Sequence, residues 1–280
     1  LGNAATNISF PLSISCIAIA LMFGIGGASA FNISTGHGEQ DPEEKRQAVF
    51  YLGNGAVLLF GCGLALWLIT QLFLEPMLTF FGSPDNVLGY AKTYTRIVSF
   101  GFPFLILTAG GGHLIRADGR PRFAMICNLT GAVINTFLDA LFVFIFQWGM
   151  AGAALATVIG QGVTMLIALA YLLHKKQFML NIPFLKFGEV SASILKIGIA
   201  PFGLTMSPNI SLIIINRFSM SYGGEPAVAA YACIAYVICI VYLILQGVGD
   251  GSQPLLSQYY GEKNSDKLKS TRNLAYGFAL

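Results

Sequence analysis

The residues with the most evident chemistry lie in one apolar stretch, CNLTGAVINTFLDALFVFIF, which runs from Cys127 to Phe146. Asp139 is its acidic residue, and Asn135 precedes Asp139 by four positions, so the two side chains share one helix face. An ionised aspartate in mid-membrane costs about 2.5–3.5 kcal/mol, and such residues usually face a cavity or an ion pathway. A carboxyl group there can take up and release a proton, or exchange it for Na⁺. We predict a cation site at Asp139 and Asn135; a permanently paired, structural aspartate is the alternative.

A third polar residue is expected at the same depth. The short connection QWG follows the stretch, with Asp139 nine residues before Trp148 and Thr157 nine residues after it. Two helices joined so closely form a hairpin, in which both residues lie roughly 13 Å from the turn. Close approach is favoured by a stripe of small residues on the second helix, Gly152, Ala156 and Gly160. The predicted cation site therefore comprises Asn135, Asp139 and Thr157.

The chain that positions these residues has the composition of a membrane protein. Of its 280 residues 55% are hydrophobic and 10% are charged, whereas a soluble domain carries about 25% charged residues. Seven stretches are long enough to cross a hydrocarbon core of about 30 Å as helices. They are 8–33, 47–74, 90–115, 123–147, 149–173, 192–218 and 227–258. We predict an all-α integral membrane protein with about seven complete transmembrane helices and the start of an eighth near Ser270.

Basic residues indicate which side of the membrane each loop occupies. Twelve of the 16 Lys and Arg residues lie in four alternate loops, at 45–46, 116–122, 175–186 and 263–272. The positive-inside rule places these loops in the cytoplasm. Because the basic clusters recur in step with the spans, we expect no nucleic-acid partner. The sequence also lacks HExxH, CxxC and GxSxG motifs, so we predict no enzymatic activity and no cofactor.

This orientation can be tested with single cysteines in an otherwise cysteine-free protein. We expect Gly119→Cys to be protected from an impermeant thiol reagent in intact cells, and Gly223→Cys to be labelled. Labelling of Gly119→Cys would reverse the orientation.

A weak internal repeat relates two ends of predicted spans. The segment from Gly24 to Glu39 aligns without gaps on the segment from Gly247 to Glu262, with six identical residues in 16 positions. The two copies lie six spans apart and share one orientation, which is typical of parallel repeats in transporters. We expect an N-terminal lobe at 1–176 that lacks its first helix, a cytoplasmic linker at 177–190, and the first part of a C-terminal lobe at 191–280. A seven-span receptor or channel is the alternative.

Two further residues are candidates for a substrate cavity. Asn209 follows Pro201 and Pro208 in the sixth span, where kinks expose carbonyl groups; a kink without a ligand is the alternative. Tyr236 could stack on a flat cationic ligand, although ordinary packing would also explain its position.

The chain resembles the MATE (multidrug and toxic compound extrusion) family along nearly its whole length. The segments that carry the resemblance are LIRADGRPRFAM, NTFLDALF, WGMAGAALAT and VGDGSQPLLSQYYGEKN. The resemblance implies two lobes of six helices around a central cavity, in the bacterial cytoplasmic (inner) membrane. It also implies that Asn135, Asp139 and Thr157 form the cation site of the N-terminal lobe.

The function that the resemblance implies is antiport. H⁺ or Na⁺ would enter while amphipathic, often cationic small molecules are exported, with membrane lipid as the surroundings. A lipid-linked oligosaccharide flippase of the same superfamily is the rival within this fold.

Overall fold

The computed structural model describes residues 2–38, 42–80, 85–174 and 188–280, whose backbone is helical apart from short turns. The helices in these ranges are α1 (Gly2–His37), α2 (Pro42–Leu72), α3 (Leu74–Phe80), α4 (Asp85–Ser99), α5 (Phe102–Ala117), α6 (Pro121–Asp139), α7 (Gly149–His174), α8 (Glu189–Gly261) and α9 (Ser265–Ala279). A π-helical turn, Ala140–Ile145, continues α6. No strand occurs in these ranges, and the predicted all-α class is confirmed.

Most of the predicted spans coincide with helices. Five helical stretches of the described residues are long and apolar enough to cross a membrane: Pro11–His37, Gln47–Leu72, Pro121–Ile145, Gly149–His174 and Glu189–Pro208. A sixth is broken, because Leu88–Ser99 and Phe102–Ala117 meet at an angle of 50°. The break has a local cause, since Pro103 has no amide hydrogen to donate to the Ser99 carbonyl.

The predicted loop at 219–226 is not a break in the helix. The sixth and seventh predicted spans lie in one helix, α8, which runs for 73 residues from Glu189 to Gly261. Pro201, Pro208 and Pro226 all fall within it. A proline inside a helix removes one backbone hydrogen bond and bends the helix more readily than it ends it, so this composition does not force a loop.

The structure also indicates a better position than Gly119 for the cysteine that tests the cytoplasmic side of the membrane. Gly119 has a φ of +80°, a conformation that a cysteine adopts only with strain. Arg122 is exposed in the same turn region and is a less strained site for the cysteine.

The chain divides into two compact units. One comprises Leu1–Phe31 and Val49–Phe202, and the other comprises Asn32–Ala48 and Gly203–Leu280. The predicted linker at 177–190 falls largely outside the described residues, so the lobes at 1–176 and 191–280 stay a prediction.

In the second unit, the two copies of the repeat contact each other where their helices end. A Cβ atom on Gly36, near the end of α1, would lie 2.5 Å from the Gln258 carbonyl oxygen. A Cβ atom on Gly261, the last residue of α8, would overlap the carbonyl oxygen of Ile33. The backbones of α1 and α8 therefore touch with no side chain between them.

In the first unit, α6 and α7 form the tight hairpin that the sequence predicts. Gln147 and Gly149 take positive φ values of 54° and 55°, and the Trp148 amide donates to the Phe142 carbonyl at 2.9 Å. Gly152, Ala156 and Gly160 are all buried, as expected for a stripe that faces a neighbouring helix.

Helices α6 and α7 approach each other closely at two glycines. A Cβ atom on Gly160 would lie 2.9 Å from Asn135 Cβ and 3.0 Å from the Gly131 carbonyl oxygen. A Cβ atom on Gly131 would overlap the Thr164 hydroxyl. The helices can pack at this distance only because neither position carries a side chain.

We expect Gly160→Ala to destabilise the protein, because overpacking a close contact typically costs about 1–3 kcal/mol. Gly162→Ala is the matched control on the same helix, since its Cβ would make ordinary contacts 3.7 Å from the Phe104 ring. The control should gain up to about 1 kcal/mol from its higher helix propensity. The measurement is the thermal unfolding midpoint in detergent, and equal midpoints for the two variants would contradict this account of the interface.

Candidate functional site

Asp139 and Asn135 lie one turn apart on α6, and both are half-buried. The Asn135 carboxamide is close enough to interact with the Asp139 carboxylate. Among the described residues, however, no group completes a hydrogen bond with Asp139 Oδ1 or with Asn135 Nδ2, although both atoms are buried. A buried carboxylate oxygen without a protein donor is an acceptor that a proton or a small cation can use.

Thr157 reaches the same level from α7. Its hydroxyl donates to the Ala153 carbonyl at 3.0 Å, which leaves the lone pairs of the oxygen as acceptors. The two helices run in opposite directions and touch where Gly160 meets Asn135. Asp139 on α6 and Thr157 on α7 each lie about one helical turn from this contact, on the side of the hairpin connection. The structure therefore brings the helices that carry the three predicted residues into contact at the predicted level.

The chain after Asp139 departs from regular α-helix, which the sequence did not predict. Residues 140–145 form a π-helical turn, in which the Phe146 amide donates to Leu141 O at 3.0 Å. Aromatic rings stack where the π-helical turn meets the hairpin connection, with the Phe142 and Trp148 centroids 5.1 Å apart. Because π-helical turns inside membrane helices are uncommon and occur often at functional sites, this turn supports the choice of Asp139.

Tyr94 is a further candidate for the site that the sequence analysis did not single out. It lies on α4, which packs against α7, the helix that carries Thr157. A tyrosine hydroxyl can donate a hydrogen bond to a carboxylate and accept one from a bound water. No spacing rule connects residues 94 and 139, so only the tertiary structure could have identified Tyr94.

The two predicted cavity residues lie in α8. The side chains of Asn209 and Tyr236 are outside the described residues, and their role stays a prediction.

A bound cation should stabilise the folded protein, because a ligand of the native state raises stability by RT ln(1 + [L]/Kd). We expect the thermal midpoint of the complete protein to rise either with Na⁺, against choline at equal ionic strength, or with falling pH. Asp139→Asn should abolish that response, and Tyr94→Phe should weaken it while retaining the ring. A wild-type midpoint indifferent to both ions, or an Asp139→Asn variant with the full response, would refute this cation site.

Known proteins are similar to this chain in sequence. The MatE family model matches residues 4–141 and 201–280. The multidrug export protein MepA of Staphylococcus saprophyticus is 26% identical over 257 residues, which cover 91% of this chain and 55% of that protein. The probable multidrug resistance protein YpnP of Bacillus subtilis is 26% identical over 268 residues, which cover 96% of this chain and 58% of that protein. The chain thus spans little more than half the length of these relatives.

Solved structures share the fold. An outward-facing multidrug resistance MATE family transporter of the MOP superfamily has a TM-score of 0.85 at 23% identity, covering 99% of this chain and 60% of that chain. A MATE structure in the straight conformation has a TM-score of 0.86 at 23% identity, with 99% and 61% covered. With the apolar helices, these similarities confirm the predicted multi-pass location in a bacterial inner membrane. Because the family model matches well over half of the residues, the chain belongs to the MatE family.

Proposed function

We propose that the protein is a secondary active exporter, in which H⁺ or Na⁺ entering through Asp139 drives the export of amphipathic, cationic small molecules. The observation that carries this proposal is the buried Asp139 Oδ1, which has no hydrogen-bond partner among the described residues although it lies in a membrane-spanning helix. A structural aspartate would be paired, since an unpaired buried charge is destabilising.

The relatives support the direction and the class of transport. MepA is named a multidrug export protein, and YpnP is named a probable multidrug resistance protein. An acidic membrane site suits exchange between small inorganic cations and organic cations, because both lower the cost of an ionised carboxylate.

The carboxylate also provides enough free energy to couple cation entry to substrate export. Keeping it ionised within the membrane costs about 2.5–3.5 kcal/mol, and a bound H⁺ or Na⁺ removes that cost. A difference of this size corresponds to roughly a 70- to 400-fold preference between two arrangements. The loaded and the ionised carboxyl can therefore favour different packings of α6 and α7, provided that each packing binds the cation with a different affinity.

Asp139→Asn in the complete protein tests the proposal, because it preserves the shape of the side chain and removes its titratable charge. We expect the variant to fold but to lose gradient-driven export by about tenfold or more, since the cost that drives coupling is gone. The measurement is export per folded molecule in proteoliposomes, with the pH and Na⁺ gradients collapsed one at a time. Glu189→Gln is the control, because it makes the same chemical change at an exposed residue. Wild-type export by well-folded Asp139→Asn would overturn the proposal.

The neighbouring residues should give graded effects in the same assay. Thr157→Ala should reduce export by about two- to twelvefold, as expected for one neutral hydrogen bond or ligand. Asn135→Ala should fall between Thr157→Ala and Asp139→Asn, because the carboxamide can serve both the cation and Asp139. If these variants differ in protein yield while their export per folded molecule stays the same, the residues have a structural role.

A further inference from the structure

Helix α6 has three faces, which follow from the angular positions of its residues at about 100° per residue. The first face is buried and consists of Ala124, Cys127 and Gly131. The second is polar, is centred about 70° from the first, and consists of Asn128, Asn135 and Asp139. The third is apolar, is centred about 145° from both, and consists of Ile126, Leu129, Val133 and Phe137. We call this third face the α6 stripe.

The α6 stripe is exposed along its whole length. Its four residues have relative exposures of 53%, 59%, 59% and 68%. Only 6% of the apolar window of Pro121–Ile145 is buried, compared with 67% for Pro11–His37, so α6 lies at the edge of its unit. Because the polar face that carries Asp139 points in another direction, the stripe is suited to contact lipid.

Both ends of α6 carry residues that suit a membrane–water interface. Arg122 is exposed at the end that the basic loops predict to be cytoplasmic, and its angular position is within about 25° of the centre of the α6 stripe. At the other end Trp148, in the hairpin connection, is 50% exposed. Basic residues on the cytoplasmic side and aromatic residues at the interfaces are typical of helices that contact lipid.

No acidic side chain of the described residues lies within ion-pair distance of Arg122. The nearest carboxylate in the sequence, Asp118, accepts a hydrogen bond from the Tyr171 hydroxyl of α7. Arg120 lies over the same ring, with its guanidinium carbon 6.0 Å from the ring centroid. These two charged groups of the turn are thus directed towards α7, whereas Arg122 stands at the head of the α6 stripe. A cation above an apolar stripe is complementary to an amphiphile with an anionic head.

We propose that α6 binds one anionic phospholipid of the inner leaflet, whose phosphate accepts hydrogen bonds from the Arg122 guanidinium and whose acyl chain lies along Ile126, Leu129 and Val133. A guanidinium group matches phosphate oxygens in geometry and charge. The distance from Arg122 to Val133 along the helix is roughly 16 Å, which is about half of a hydrocarbon core of about 30 Å and so the depth of one leaflet. This inference does not depend on the proposed function, since it involves neither the coupling cation nor the exported molecule.

The site should distinguish lipids by the net charge of the head. A zwitterionic lipid can lie along the same stripe, but the cation of its head opposes Arg122. An anionic lipid near one arginine gains about 1 kcal/mol, which corresponds to roughly a fivefold preference.

A fluorescent probe on the stripe tests this preference in the complete protein. Ile126→Cys is labelled with bimane in an otherwise cysteine-free background and reconstituted into phosphatidylcholine vesicles. The vesicles contain an equal, small fraction of nitroxide-labelled phosphatidylglycerol or nitroxide-labelled phosphatidylcholine. We expect the phosphatidylglycerol to quench the probe about fivefold more effectively. Arg122→Gln should remove this preference and leave quenching by phosphatidylcholine unchanged.

Three controls separate a lipid site from general effects of charge and exposure. Arg272→Gln removes the same charge from an exposed residue of α9 and should retain the preference at Ile126. A probe at Phe137→Cys, on the same stripe but roughly 22 Å from Arg122, should be quenched equally by both lipids. A probe at Asn128→Cys, on the polar face at a similar depth, should be quenched more by aqueous iodide than by either lipid.

Equal quenching of the Ile126 probe by the two lipids, or a preference that persists in Arg122→Gln, overturns the inference. Absence of lipid quenching at Ile126 also overturns it, because another part of the complete protein would then cover the stripe. If Arg122→Gln does not fold, the unsubstituted Arg122 protein is measured at rising salt concentration. Screening should then reduce the preference, and a preference that salt does not change contradicts the role of Arg122.

Discussion

The contact between Gly160 of α7 and Asn135 of α6 is the constraint on which the candidate site depends. It sets the distance between two helices that each carry part of the polar group, and it leaves no room for a Cβ atom at Gly160. With the helices this close, the Asp139 side chain is half-buried, and Thr157 lies on the neighbouring helix at a similar distance from the hairpin connection. A wider separation would hydrate the carboxylate, and its protonation or Na⁺ binding would then carry much less energy.

The bent span packs against α7 of the hairpin through both of its halves, α4 and α5. Its 50° bend exists because Pro103 cannot complete the helical hydrogen-bond pattern. Backbone polar groups in a membrane must find partners within the protein, so a bend of this kind needs side-chain donors nearby. Here Gln71, on α2, donates to the Arg96 carbonyl, whose usual helical donor, the Phe100 amide, bonds to Ile97 instead.

Some of this arrangement could be predicted from the sequence because it depends on local pattern. The length of apolar runs fixes the helical class, and the short QWG connection with its following small residues fixes the hairpin. The matched levels of Asp139 and Thr157 then follow from counting residues on both sides of Trp148. The parallel repeat is also local in origin, and the structure shows both copies ending a helix, at His37 and Gly261.

The remaining features depend on contacts between distant parts of the chain. The hydrogen bond from Gln71 to the Arg96 carbonyl is decided by how α4 packs between its neighbours, and no periodicity in the sequence records that choice. The π-helical turn after Asp139 occurs together with the stacking of Phe142 on Trp148, a contact between the turn and the hairpin connection that the sequence pattern does not record. At 219–226 the sequence pattern is misleading. Gly and Pro residues there suggest a loop, but the backbone of α8 stays helical.

The contact between the ends of α1 and α8 has a mechanical consequence. Most helix pairs touch through side chains, which change rotamer and so act as a compliant layer between two rods. Here main chain meets main chain at Gly36 and Gly261, and the repulsive wall of the van der Waals potential is reached directly. Pressing the two helices closer therefore meets steep repulsion at once, and the contact sets a lower limit on the distance between the ends of α1 and α8.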